Sequence, residues 1–199
     1  MNERFERAIA LIDAANAEDP RSDLAGSESV PRELLYSRRM SQMLERFAPE
    51  ASEILRLAVR AQHIQRWKSP RDSYPKTPEG YQQWRRELMR FHAKTAGALL
   101  REAGYGDDAI ERIGALLQKR GLKSDAETQT LEDVIALVFV ENYLAQFARE
   151  HGDYDEAKFV DILQKTLKKM SAHGREAAFT LISPPAVLLP LIEKAMTGV

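Results

Sequence analysis

Leu131-Glu132-Asp133-Val134-Ile135-Ala136-Leu137-Val138-Phe139-Val140-Glu141-Asn142-Tyr143-Leu144-Ala145-Gln146-Phe147 is apolar nearly all round when wound as a helix. Such a helix has no face to give to water, so it belongs in the middle of a core. It is too long for a buried strand. Ser124 with Glu127 forms a capping box that starts it, and it continues to about Glu150. A core built on one central helix asks for other helices around it, and the rest of the chain supplies them.

Downstream, Asp155 to Met170 is amphipathic at helical spacing. Ala172 to Val199 reads as one or two short helices broken at Pro184, Pro185 and Pro190, with residues 183–199 as a proline-rich tail. Upstream, Asp107 or Asp108 caps a fifth helix that ends near Gly121. Thr77 is the N-cap of the fourth, Pro78 its first residue and Gly104 its left-handed stop after Ala103. Lys68 to Thr77, with Pro70 and Pro75, is a loop. Pro49 opens a third helix reaching Trp67, and Pro31 a second reaching about Phe47. Phe5, Ile9 and Ile12 mark a first helix over residues 3–16, followed by a mobile polar loop over residues 17–29. Strand-like alternation is hard to find. The predicted fold is an all-α, single-domain helical bundle over residues 1–199.

Composition narrows the function. A chain of 199 residues, 44% hydrophobic and 30% charged, is long enough to bury a real core. The absence of cysteine excludes disulfide frameworks, thiolate metal sites and cysteine nucleophiles. The charged stretch Met1 to Arg7 reads as no signal peptide, and Val134 to Val140, the longest apolar run, is far short of a span. A cytoplasmic protein without membrane contact is the expectation. A net charge of -1 argues against general nucleic-acid binding.

Chemistry is expected from a few polar residues lying beside apolar stripes. His63 sits between Val59 and Trp67 at helical spacing. His92 shares a face with Leu88, Met89 and Ala96. Asp133 faces Ala136, Leu137 and Val140, so its carboxylate must find a cation, a metal or strong donors. Glu132, one step round, is a secondary ligand candidate or the solvated shoulder. A basic set surrounds them: Arg38, Arg39, Arg66, Arg71, Arg85, Lys119 and Lys123. Arginine suits bidentate contact with phosphate or carboxylate. Trp67, Tyr74, Tyr81 and Trp84 bracket the loop and could stack a base, or simply pin the loop. His151 and His173 fall beside glycines near helix ends and read as structural.

The strings Leu34-Leu35-Tyr36-Ser37-Arg38-Arg39-Met40, Ala61-Gln62-His63-Ile64 with Arg66-Trp67, Gly80-Tyr81 with Trp84-Arg85, and Leu131-Glu132-Asp133-Val134 resemble an uncharacterised family, domain of unknown function 4202, from Phe5 to about Met196. More distantly, the order of features is similar to the HD-type metal-dependent phosphohydrolases. That resemblance implies an HD-like helical fold in which the third, fourth and sixth helices enclose the site and the loop Lys68 to Thr77 covers it. His92 would match the later His of the motif and Asp133 the late Asp. The His-Asp pair is degenerate, because Ile64 follows His63, and the early His is replaced within Tyr36 to Arg39.

Three readings follow. In the first, His63, His92 and Asp133 activate water against a phosphoester or nucleotide, directly or through one divalent ion (Mn, Fe, Zn, Ni or Mg), and the basic residues hold phosphate. In the second, the same residues bind a small anionic ligand without metal or turnover. In the third, the polar cluster is an ion-pair network inside a structural or interaction domain. A homo-oligomer is compatible with all three.

Overall fold

The structure, a computed structural model, describes residues 3–199. The described residues are mostly α-helical, as the periodicity predicts, with one short hairpin of β-strands. None of these helices is long and apolar enough to cross a membrane. The chain divides into two compact units, residues 1–42 with 50–120, and residues 43–49 with 121–199.

The first unit holds α1 (Glu3–Ala17), β1 (Ser22–Ala25), β2 (Glu28–Pro31), most of α2 (Arg32–Phe47), α3 (Glu53–Arg60), α4 (Pro78–Ala103) and α5 (Asp107–Leu117). α4 packs against α1 and α5, and α3 against the same two helices. Ile12, Leu57, Ile64, Leu100, Ile113 and Leu116 are fully buried there. α4 is bounded as its sequence dictates: the Thr77 hydroxyl accepts from the Gly80 N–H, Pro78 opens it, and Gly104 ends it at φ 96°.

Several local expectations are corrected, beginning with α5, whose N-cap is Gly106 and not Asp107 or Asp108. Part of the stretch read as a loop is an antiparallel hairpin, Ser22 pairing with Pro31 and Ala25 with Glu28. Pro31 therefore closes a strand instead of opening a helix. The strands pair antiparallel through the backbone, and Arg32 bonds Asp23 beside them at 3.0 Å. The third helix runs only from Glu53 to Arg60, capped by the Ser52 hydroxyl on the Leu55 N–H. Residues beyond it form turns, and Gln65 is left-handed at φ 48°. The Gln65 N–H is held by the buried Asn16 side chain at 2.9 Å, a contact from α1 that no local reading of the segment contains.

The second unit holds the last turn of α2, then α6 (Ala126–Val138), a π-helical turn (Phe139–Tyr143), α7 (Leu144–Glu150), α8 (Glu156–Leu167), α9 (Ala172–Thr180) and α10 (Leu189–Met196). The stretch from Leu131 to Phe147 is thus one helical run with a wider turn in its middle. The Asn142 amide donates to the Val138 carbonyl at 3.3 Å, satisfying an acceptor at that turn. Asp125, not Ser124, caps α6, because the Ser124 hydroxyl turns back to the Gly121 carbonyl. α6 packs on α9, and α8 on α10.

Candidate functional site

Glu33 stands in the first turn of α2, on the stripe that continues through Ser37, Met40 and Leu44. That stripe is buried, so the carboxyl is buried with it. Its backbone N–H donates to Asp19 Oδ2 at 3.2 Å, and its Oε1 accepts from Arg21 at 3.2 Å. Burial pushes the Glu33 carboxyl up to about 7, with Arg66 and Arg21 opposing the rise. Asp19 behaves differently. Burial would raise it, but hydrogen bonds and charge from Arg21 hold its carboxyl below the usual carboxylate range.

Three residues further along α2, the Tyr36 ring stacks on His63, with centroids 4.1 Å apart and planes at 17°. The Tyr36 hydroxyl donates to Gln62 Oε1 at 2.9 Å. His63 lies in the turns after α3 and is 20% exposed at its side chain. Its Nε2 faces the Arg66 guanidinium at 2.9 Å. A guanidinium can only donate, so this nitrogen accepts and the ring proton sits on Nδ1. Nδ1 lies 3.4 Å from Glu33 Oε2. Burial, reinforced by the charges of Arg66, Lys119 and Arg21, holds His63 well below the ordinary imidazole range. The chain Arg66, His63, Glu33, Arg21, Asp19 therefore runs through a neutral histidine.

His92, on α4, is 3% exposed, and its ring centre is 6.0 Å from that of His63. Its Nδ1 lies 2.9 Å from the Ile64 carbonyl, which can only accept. Nδ1 thus carries the proton and Nε2 keeps a lone pair. That Nε2 is buried without a hydrogen-bond partner. Burial is the main reason that His92 is pushed down to about 3.

Of the other expected residues, Arg66 has its guanidinium 5.1 Å over the Trp84 ring. Lys119 follows α5 at φ 56° and acts on His63 through its charge. Arg71 donates to the carbonyls of Tyr74 and Pro75, and the Trp84 indole N–H donates to Ser69, so this loop is pinned to α4. Arg85 pairs with Tyr81. Trp67 is half-buried, Arg39 intermediate, and Arg38 exposed. Lys123, exposed, lies in the second unit.

Asp133 is held within the second unit. Its Oδ1 accepts from the Ser171 N–H at 2.8 Å and from Gln129 Nε2 at 3.1 Å; its Oδ2 accepts from the Ser171 hydroxyl at 2.6 Å. Ser171 is the N-cap of α9 and itself accepts from the Gly174 N–H. Asp133 thus anchors a helix start with strong donors, one of the three fates expected for it. Glu132, buried at its side, belongs to the same unit. Among the described residues no group of three or more His, Asp or Glu is arranged to hold a metal ion.

Glu33, Tyr36, Arg21 and Asp19 were not among the expected site residues. A signal existed for Glu33: it sits at helical spacing from Ser37, Met40 and Leu44, a carboxylate in phase with a buried stripe. Arg21 and Asp19 carry no such signal, because only the hairpin brings them to α2.

A family model described as Domain of unknown function (DUF4202) matches residues 6–192, and the chain belongs to that family. Comparison with curated proteins finds no match, and comparison with solved structures finds none.

Proposed function

We propose that this member of the family binds a small phosphorylated or otherwise anionic molecule in its first unit, on Arg66 with Lys119 and the His63–His92 pair. The observation that carries the reading is the Arg66 guanidinium set 2.9 Å from an imidazole nitrogen in a cluster with a buried, unpartnered imidazole nitrogen beside it. Arg66 is lowered from its usual range chiefly by burial, with the Glu33 charge opposing the fall. Its guanidinium meets a neutral imidazole nitrogen, not a carboxylate. A guanidinium gains much more from two oxygens of an oxyanion than from one ring nitrogen. An arriving anion would replace His63 as its partner and free the histidine lone pair. A thermal-shift screen of phosphorylated and carboxylated metabolites tests this. Wild-type protein should be stabilised by at least one compound, and Arg66→Ala should lose the shift. No stabilising compound, or a shift that survives in Arg66→Ala, would overturn it.

Hydrolysis of a phosphoester at the same place is the second reading, in keeping with the HD-like resemblance. It is favoured by Glu33, whose carboxyl is pushed up to about 7, near the value suited to a general base at neutral pH. Glu33 would take a proton from water, directly or through His63. The oxygen of that water would bond to phosphorus as the bond to the leaving oxygen breaks. A divalent ion, if it takes part, would find its open imidazole nitrogen at His92 Nε2. Release of inorganic phosphate by wild type but not by Glu33→Gln supports this reading, and turnover retained in Glu33→Gln rejects it.

A further inference from the structure

We infer, resting on the anion-binding reading, that the site selects an oxyanion that carries its own proton donor, and that His92 Nε2 is the acceptor that makes the selection. The argument starts from the two ring nitrogens. Nδ1 is committed to the Ile64 carbonyl at 2.9 Å, which fixes the tautomer and aims the lone pair of Nε2 away from that contact. Nε2 is buried and unpartnered in a residue that is 3% exposed. The His63 ring centre lies 6.0 Å from that of His92, which puts the unpartnered nitrogen in the neighbourhood of the cluster that would receive the anion.

A buried acceptor without a donor is costly, and the cost stays if the ligand brings only acceptors. Sulfate and inorganic phosphate share size and tetrahedral shape. At neutral pH sulfate has four acceptor oxygens and no proton, whereas phosphate keeps at least one P–OH. Arg66 and Lys119 attract both. Only the phosphate can satisfy Arg66 with its oxygens and His92 with its hydroxyl. The sulfate must press an oxygen lone pair against the nitrogen lone pair. A site built to accept a hydrogen bond rejects the analogue that lacks it much more strongly than an apolar pocket rejects a missing methylene. His92 stays neutral throughout, because burial pushes it down to about 3, so it cannot turn into a donor for sulfate. The preferred ligands are thus hydrogen phosphate, a phosphoester monoanion, or a phosphoester with a hydroxyl beside its phosphate.

The test uses the full chain and two probes, inorganic phosphate and sulfate, at neutral pH and equal ionic strength. Calorimetry and the fluorescence of Trp84, against which Arg66 lies, read the binding. Wild type should bind phosphate about tenfold more tightly than sulfate, or better. His92→Asn keeps a donor for the Ile64 carbonyl and removes Nε2. It should bring the two affinities within about twofold of each other. Histidine-selective nitrogen NMR on the wild type gives a readout free of any folding defect: the Nε2 signal of His92 should move with phosphate and not with sulfate. Equal binding of both anions by wild type, with loss of both in Arg66→Ala, overturns this selection and leaves the anion site standing. Selection retained by folded His92→Asn, or an Nε2 signal unmoved by phosphate, also overturns it. Binding of neither anion by wild type removes the anion site and the selection together.

Discussion

The two units each bury a cluster of polar side chains, and the clusters are finished to different degrees. In the second, Asp133 has donors for both its oxygens: Gln129 of α6, and the N–H and hydroxyl of Ser171, the N-cap of α9. In the first, Glu33 and His92 are buried in forms that shift their acidity, Arg66 faces an imidazole, and His92 Nε2 has no hydrogen-bond partner. A polar cluster that serves the fold satisfies its members. On the reading proposed above, the orphan acceptor and the guanidinium of the first are completed by a ligand. The ion pairs of these clusters lie in the first unit, Arg21 with Asp19 and with Glu33, whereas Asp133 is held by neutral donors.

The largest expected effect is Asp133→Ala. It strands the Ser171 N–H and hydroxyl and loosens the start of α9, a loss of roughly 3 kcal/mol in urea unfolding. Gly174 sharpens the point. A Cβ built there would lie 2.6 Å from Asp133 Cγ, so glycine is what lets the helix start close on the carboxylate. Gly174→Ala should lose about 1–3 kcal/mol by displacing Asp133. Losses under about 0.5 kcal/mol in both variants would dissolve the contrast between the units.

Next in size is the response of the first unit to pH, where two opposing effects separate by mutation. Glu33 is raised from 4.5 to about 7 in the folded protein. Its contribution is fully present below pH 4.5 and is lost as pH rises through 7, a decline of roughly 3 kcal/mol at about 1.4 kcal/mol per unit. His92 is lowered from 6.5 to about 3. Its contribution is present above pH 6.5 and is lost as pH falls towards 3. Glu33→Gln should therefore match wild type near pH 4.5 and exceed it at pH 8 by roughly 2–3 kcal/mol. His92→Asn should lose less stability than wild type does on acidification from pH 6.5. Chemical unfolding at a series of pH values measures both. Parallel pH profiles in wild type and Glu33→Gln would mean that this carboxyl is solvated.

The helical class was legible in the sequence, and so were the bounds of α4, where the signals are local and unambiguous. Thr77, Pro78 and Gly104 bound α4 because a cap needs only its own neighbours. His63, His92, Arg66 and Lys119 stand out as titratable or cationic residues near apolar stripes. What could not be read there depends on partners far away in the chain. The turns after the third helix are held by Asn16 on the Gln65 N–H, and the hairpin lies beside the meeting of Asp19, Arg21 and Glu33. The pairing of Glu33 with His63 spans α2 and the turns after α3, and no spacing rule reaches that far.

Arg66→Ala should have the smallest effect on the empty protein and the most telling one. Removing a buried member of a satisfied ion pair commonly costs 3–5 kcal/mol, because its partner is left charged and alone. Arg66 is different. Its hydrogen-bonded partner is a neutral imidazole at 2.9 Å, burial works against its charge, and Glu33, whose rise it opposes, keeps Arg21 at 3.2 Å without it. Deleting the guanidinium removes one hydrogen bond and also relieves a desolvation cost, and the two should cancel to within about 1 kcal/mol. Some stacking over Trp84 is lost as well, a contribution of about 0.5–1 kcal/mol. A folded Arg66→Ala protein with nearly unchanged urea midpoint, and no response to phosphate, would mark Arg66 as held for a ligand. A loss near 3 kcal/mol would instead give the first cluster the same structural character as Asp133, and the difference between the two units would disappear.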